Sequence, residues 1–445
     1  MAVSVVAIFD IGKTNKKYFL FDNQYSIVHE ESTTIDECLD LDGYPSEDLY
    51  ALCSWINDRL DSTFANKKYR VEAINFSCYG ASLVHLDHNY KIALPLTNYL
   101  KPFNDRLSKD FNNLYNTSNR LLVETASPYL GNLNSGLQLF DLKHSRPQIY
   151  NKIKVSLHLP QFLAFTLCGA IFSDMTSIGC HTLLWDFQKN TYHQWVQREN
   201  IDKKLAPIAL EINTYQFNDL SLPLKVGIGL HDSSSALIPY LINFHEPFIL
   251  ISTGTWSISL NPFNQSVLSL NELNHDCLSY LSSSGQKVKA SRKLIGLEHE
   301  HEVKKLCTHF HKQIDFYKEI RYNPLFRTDK STSYGSDLSA FSSYEEAYHK
   351  LIQKLVDDQI TSTNLIIEKN KPLPRIFVDG GFSKNSVFMT FLASAYNNTE
   401  VFAASMAQAS ALGAALSIHK FWNNLPIPQD IINLRYYSGD IPIKK

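Results

Sequence analysis

The chain has 445 residues, 44% of them hydrophobic and 19% charged, with a formal net charge of −2. That length holds two domains, and that balance is the composition of an ordinary soluble globular protein. No Lys/Arg-rich run appears, which excludes a basic surface for nucleic acid, and seven cysteines without a Cys-x-x-Cys pair read as reduced thiols in a cytoplasmic chain.

Val3–Asp10 reads as a buried-type strand, Gly12–Lys16 as a turn and Lys17–Asp22 as a second strand. No basic segment precedes the apolar run, which breaks at Asp10, so it does not read as a signal peptide. Gly12-Lys13-Thr14 is not a P-loop: Ala7 stands where that motif needs its first Gly, and a strand follows where a helix should. Read as a hairpin, the stretch ends its first strand at Asp10, facing whatever the turn holds. A carboxylate there suits Mg²⁺ beside a phosphate; an ordinary hairpin with an Asp at its turn is the alternative.

Residues 46–60 place Leu49, Leu52, Ile56 and Leu60 on one helical face. Val71–Ser77 reads as a strand, Cys78-Tyr79-Gly80-Ala81-Ser82 as a turn and Leu83–Leu86 as a further strand. An aromatic ring and small residues on a strand-end loop suit a sugar, or make a plain turn. Leu137–Lys143 predicts a helix ended by Arg146-Pro147, and Ile153–Leu167 another, stopped at Gly169. Val155–Phe172 is too short for a typical membrane span and includes His158, Pro160 and Gln161, so no membrane partner is expected.

Near the midpoint, Gly227 and Gly229 precede His231 and Asp232, which open a Ser-rich segment, Ser233–Leu241. The spacing predicts a helix capped by Asp232 or Ser233. Phe248–Ser252 and Trp256–Leu260 read as strands around Thr253-Gly254-Thr255, where Gly permits close approach and hydroxyls and N–H groups suit phosphate oxygens. This repeats the N-terminal pattern at the start of the second half. Two related domains, 1–232 and 233–445, would each give one phosphate-facing hairpin to a shared cleft. Gly227-x-Gly229 lacks the third Gly of a dinucleotide fingerprint.

Gly285–Arg292, with Lys287, Lys289 and Arg292, reads as a solvated face in preference to a substrate contact, and Glu298–Lys305 as a solvated helix face. Glu298-His299-Glu300-His301 is not a His-Glu-x-x-His metal motif, because Val303 stands where the second His belongs. Ile376–Asn385 predicts a strand running into the Gly380-Gly381 turn, with a helix from Ser386 to Tyr396 whose N-terminus can approach a nucleotide. Met406–His419 is Ala-rich around Gly413 and reads as a tightly packed helix.

Together these blocks resemble the FGGY family of carbohydrate kinases over nearly the whole chain. The resemblance rests on Asp10-Ile11-Gly12, Ser173-Asp174 through Asp186, Gly229-x-His231-Asp232, Ser252–Ser257, Asp379-Gly380-Gly381 with Asn385, and Ala411–Ala415, in family order and spacing. His231-Asp232 and Thr253-Gly254-Thr255-Trp256-Ser257 are most similar to the L-rhamnulose and L-fuculose kinase branch. The resemblance implies an α/β fold of two ribonuclease-H-like, actin-like domains, with the sugar on 1–232 and ATP on 233–445. It implies transfer of the γ-phosphoryl of ATP to a sugar hydroxyl, of a ketose such as L-rhamnulose or L-fuculose. Another ketose or polyol of the xylulose or ribulose type, or an actin-like ATPase without a sugar substrate, are the alternatives. It assigns Asp232 as catalytic base and Asp10 as the acid near Mg²⁺. It assigns Gly12, Thr14, Lys17, Thr253, Gly254 and Thr255 to the phosphates, Gly380, Gly381 and Asn385 to the adenosine, and Tyr79, Gly80, Ser82, His231 and Asp232 to the sugar. A homodimer is left open. Three positions depart from the family pattern: Lys13 replaces Thr or Ser, Ser82 replaces that branch's Asp, and Gln408 replaces a common Glu.

Overall fold

The computed structural model describes residues 2–209, 213–218, 224–326, 334–335, 337–406 and 408–439. Two seven-stranded sheets organise it. In the first, the order is Thr214–Gln216, Lys225–Gly227, Tyr69–Cys78, Val3–Ile11, Lys16–Asp22, Ile27–Thr33, with Leu230–His231 also pairing Tyr69–Cys78. In the second it is Cys277–Leu281, Lys287–Lys293, Ser257–Asn261, Phe248–Thr253, Arg375–Gly380, Glu400–Ser405, Asn433–Tyr437.

The same local pattern occurs in both sheets. Val3–Ile11 pairs antiparallel with Lys16–Asp22 and parallel with Tyr69–Cys78. Phe248–Thr253 pairs antiparallel with Ser257–Asn261 and parallel with Arg375–Gly380. A strand flanked on both sides and covered on both faces needs a nearly unbroken apolar sequence, and Val5–Phe9 and Phe248–Ile251 supply it. The register sets the site: Asp10 lies opposite Ser77, and Ile11 and His231 both lie opposite Cys78. Asp10 and the His231-Asp232 step therefore leave neighbouring strand ends on the same edge.

Helices cover the faces. Leu49–Ala65 begins at Asp48, whose carboxylate accepts from the N–H groups of Tyr50 and Ala51, and it buries the predicted Leu49, Leu52, Ile56 and Leu60. Asp232–Asn243 and Ala409–Ser417 cross so closely that a Cβ on Gly413 would lie 1.8 Å from Ser235 O. Ala411, Leu412, Ala414, Ala415 and Leu416 share a buried cluster with Val6, Ile8, Phe19 and Phe21. A late segment thus completes the core under the first sheet. On the second sheet, Tyr344–Asn364 and Ser386–Ala395 bury their apolar faces against Ile249, Ile251, Ile376 and Val378.

Two expectations need correction and one is extended. Ile153–Leu167 is not one helix: Ile153–His158 is a strand paired with Leu83–Asp87, and the helix is Leu159–Cys168. Pro160 explains the boundary, since it has no N–H to donate and is tolerated only in a first turn. Arg146-Pro147 does end one helix, Ser135–Ser145, but Pro147 also opens the next, Pro147–Lys152. Gly285–Arg292 is not a solvated face: Lys287–Lys293 is an inner strand, where Lys289 reaches Glu272 at 2.5 Å and Arg292 reaches Asp276 at 2.6 Å. Among the described residues no helix is long and apolar enough to cross a membrane, and all seven cysteines are unpaired.

Candidate active site

Two carboxylates stand at one edge of the first sheet, on either side of the strand Tyr69–Cys78. Asp10 ends its strand and accepts a hydrogen bond on Oδ2 from Ser410 Oγ at 2.9 Å. Burial pushes its pKa from 3.8 to about 6; Ser410 pulls it back, and the charge of Asp232 adds to the rise. Asp232 stands in the first turn of Asp232–Asn243, where the helix dipole favours an anion. The helix has His231 as its N-cap, without a side-chain cap bond, so neither Asp232 nor Ser233 caps it as expected. Instead Asp232 Oδ1 accepts from Ser233 N at 2.5 Å and Ser233 Oγ at 3.2 Å. Desolvation still raises it to about 6, although 35% of its side chain is exposed to the cleft.

His231 is buried and neutral, its pKa pushed down to about 3 by desolvation. Ser234 Oγ donates to Leu281 O at 3.1 Å, so toward His231 Nδ1, 3.3 Å away, it accepts. That places the imidazole proton on Nδ1 and turns the Nε2 lone pair toward Cys180 Sγ at 3.0 Å, with Asp232 Oδ1 at 3.2 Å. The Ser173-Asp174 block holds this arrangement from behind. Asp174 accepts from Thr176 Oγ1, and Thr176 Oγ1 accepts from His231 N at 2.9 Å.

The two hairpins expected to face phosphate present exposed tips, Thr14-Asn15 on one lobe and Gly254-Thr255-Trp256 on the other. Gly12 N–H closes the first turn on Asn15 O at 3.0 Å. Lys17, opposite Asp10 in register, crosses to Gln408 Oε1 at 2.9 Å. Lys13 turns away and pairs with Glu37. Thr253 corrects an expectation: its hydroxyl donates to Asp379 O and accepts from Phe382 N, so it shapes the next loop and is not open to a phosphate. Gly381 N–H donates to Thr253 O, and Gly380 sits at φ +84, where a Cβ would lie 1.9 Å from Thr253 O.

A cavity of about 660 Å³ opens beside this loop, lined among others by Gly254, Thr255, Gly296, Tyr317, Arg321, Gly381, Phe382 and Asn385. Asn385 accepts from Val387 N and Phe388 N as the cap of its helix and donates to Tyr348 OH at 2.8 Å. The structure so gathers Gly254, Thr255, Gly381 and Asn385 around one nucleoside-sized space. The strand-end loop lies on the other side. Gly80 packs against Cys180 and the His231 ring, and a Cβ there would lie 2.8 Å from Cys180 Sγ. Ser82 is buried with its hydroxyl unpartnered, and Tyr79 donates to Glu47 Oε2 at 3.1 Å.

Sequence reasoning missed Ser410, Glu47, Tyr240 and Cys180. Ser410 opens an Ala-rich helix read only for packing, and Tyr240, which donates to Asp379 at 3.3 Å, sits mid-helix. Nothing local marks either. Glu124, Asp186 and His193 also cluster, but His193 Nε2 already donates to Glu124 at 2.9 Å and its Nδ1 accepts from Trp195 N. Both imidazole nitrogens are therefore taken, which leaves none for a metal.

Two α/β lobes, each a seven-stranded sheet with a hairpin, and two acids at the edge of the first sheet match the two-domain architecture of sugar kinases and actin-like ATPases. The family model for the N-terminal domain of FGGY carbohydrate kinases matches residues 5–207 and that for the C-terminal domain residues 339–417, and the chain belongs to this family. It is 25% identical over 238 residues to a rhamnulokinase of Oceanobacillus iheyensis, covering 50% of this chain and 48% of that protein. It is 23% identical over 276 residues to an L-fuculokinase of Escherichia coli K12, covering 58% and 56%. The matches thus span about half the length of these curated relatives. A carbohydrate kinase structure from Novosphingobium aromaticivorans superposes with a TM-score of 0.80 at 22% identity, covering 99% of this chain and 95% of that one. A ligand-bound xylulose kinase from Lactobacillus acidophilus gives 0.80 at 14%, covering 98% and 94%. At these identities the superpositions show the fold.

Proposed function

We propose that the chain transfers the γ-phosphoryl of ATP to a hydroxyl of a ketose such as L-rhamnulose or L-fuculose, with Asp232 as general base. The observation that carries this reading is Asp232: a carboxylate desolvated to a pKa of about 6, with 35% of its side chain still exposed, and close enough to a second acid, Asp10, for its charge to raise that acid's pKa. A base poised just below neutral pH is ionised when needed and still basic enough to take a hydroxyl proton. The rest of the catalysis is positioning and charge neutralisation. Lys17 and the tips at Thr14 and Thr255 would hold the phosphates, residues 1–232 the sugar, and residues 233–445 the nucleoside in the cavity by Asn385. Closure of the two lobes would exclude water as a competing acceptor. Mg²⁺ fits the oxygen-only donor set here, with Asp10 as its carboxylate, and when bound it supplies neutralisation of phosphate charge.

Ser82 favours a second acceptor class. Where the rhamnulose and fuculose branch carries an Asp, this chain offers a buried neutral hydroxyl that finds no hydrogen-bond partner among the described residues. That weakens the assignment to the rhamnulose and fuculose branch and keeps a ketose or polyol of the xylulose or ribulose type as the second reading. The unpaired thiols support a cytoplasmic setting. The test is ADP release across a panel of ketoses and polyols. Turnover that no sugar stimulates would point to an actin-like ATPase instead.

A further inference from the structure

Lys16 and Lys17 are adjacent on one strand and do opposite things. Side chains alternate along a strand. Lys17 enters the cleft, while Lys16 turns into the lobe and is 1% exposed. Its Nζ meets Glu47 Oε1 at 2.8 Å and Lys13 O at 3.0 Å. Glu47 is 3% exposed, and its second oxygen accepts from Tyr79 OH at 3.1 Å. Tyr79 also donates its backbone N–H to Ile11 O at 3.0 Å. A single carboxylate therefore ties the turn of the phosphate hairpin to the aromatic side chain that opens the strand-end loop.

Stability alone does not call for this pair. Two well-packed apolar side chains of similar volume usually do as well as a buried ion pair, or better. They would lack direction, however: no apolar group can hold Lys13 O and Tyr79 OH at fixed angles. We infer that Lys16 and Glu47 form a positioning pair that locks the phosphate turn and the sugar loop into one unit, so that each site is shaped by the other. The inference rests on the kinase reading of the cleft. The neighbourhood agrees with it. The Cys78 thiol feels Asp10, Asp232, Glu47 and Lys16 together. Tyr99, whose ring lies 5.9 Å from that of Tyr79, feels both Asp232 and Glu47.

The full chain is tested as Lys16→Met, Tyr79→Phe, their double variant, and Lys16→Met/Glu47→Leu, reading sugar KM, ATP KM, kcat and thermal midpoint. Tyr79→Phe is expected to raise the sugar KM roughly tenfold, the worth of one buried hydrogen bond. Lys16→Met is expected to raise both KM values. The double variant should fall short of the product of the singles, because both act through Glu47. The apolar pair should recover the thermal midpoint without recovering either KM. Multiplicative single effects, or an apolar pair with wild-type KM values, would overturn the inference. If Lys16→Met does not fold, Glu47→Gln replaces it in the same cycle with Tyr79→Phe, with the same deciding outcomes. A wild-type chain without sugar-dependent ADP release would overturn the kinase reading, and this inference with it.

Discussion

Replacing Asp232 by Asn keeps its shape and its acceptor oxygen for Ser233 while removing the charge, and it should move rate and stability in opposite directions. A general base is worth ~10²–10⁴-fold, and kcat should fall by that factor. In the wild type only the carboxylate accepts the proton. With a pKa raised from 3.8 to about 6, kcat/KM should be level above neutrality and fall about tenfold per unit well below pH 6. Asp10 titrates in the same range, so this limb belongs to the pair. In the variant the limb should shift to lower pH, because the Asp232 charge no longer raises Asp10. The stability argument has the other sign. A folded-state pKa above the unfolded value means that ionisation opposes folding: the cost is complete above the folded pKa and vanishes below the unfolded one. Two units correspond to ~3 kcal/mol. With 35% of the side chain in solvent, screening brings this to about 1 kcal/mol. Urea melts should show Asp232→Asn more stable by that amount at pH 8, the gain shrinking as pH falls through 6. Near-normal kcat with an unmoved acid limb would remove Asp232 from the mechanism.

Asp10→Ala should raise the Mg²⁺ concentration needed for half-maximal rate while leaving sugar affinity largely intact; an unchanged Mg²⁺ titration counts against its assignment. Gly380→Ala should cost about 2–4 kcal/mol, combining left-handed backbone strain with the clash on Thr253 O. Gly381→Ala, with nothing within 4 Å of its Cβ, should cost less than ~0.5 kcal/mol; equal shifts in denaturant melts would contradict the loop geometry. Sugar should tighten binding of a non-hydrolysable ATP analogue by ~5–150-fold through closure of the lobes. Equal calorimetric affinities with and without sugar would mean a cleft formed in advance.

What the sequence disclosed was local. The two hairpins, the Gly380-Gly381 turn and the isolated Asp232 each depend on residues a few positions apart, and the chemistry of those residues is readable without the fold. The strand Ile153–His158 does alternate, with Ile153, Val155 and Leu157 against Lys154, Ser156 and His158, but it is short and continues directly into the apolar helix Leu159–Cys168, which masks the change of period. Lys289 and Arg292 looked solvated because their partners, Glu272 and Asp276, reach them only through the sheet. Thr253 looked like a phosphate ligand because its turn is of the right kind; its hydroxyl is taken by Asp379 and Phe382, more than a hundred residues away. Ser410 on Asp10 and Glu47 between Lys16 and Tyr79 are likewise contacts that only folding brings about.

The crossing of Gly413 over Ser235 bears on how the polypeptide is made. Val6, Ile8, Phe19 and Phe21 leave the ribosome long before residues 411–418, which cover them. Until then the first sheet shows a bare apolar face, for a matter of seconds at cellular elongation rates. The interval is an opening for aggregation or for a chaperone. It also means that deleting residues 411–418 would damage the lobe built on Val3–Ile11, far from them in sequence.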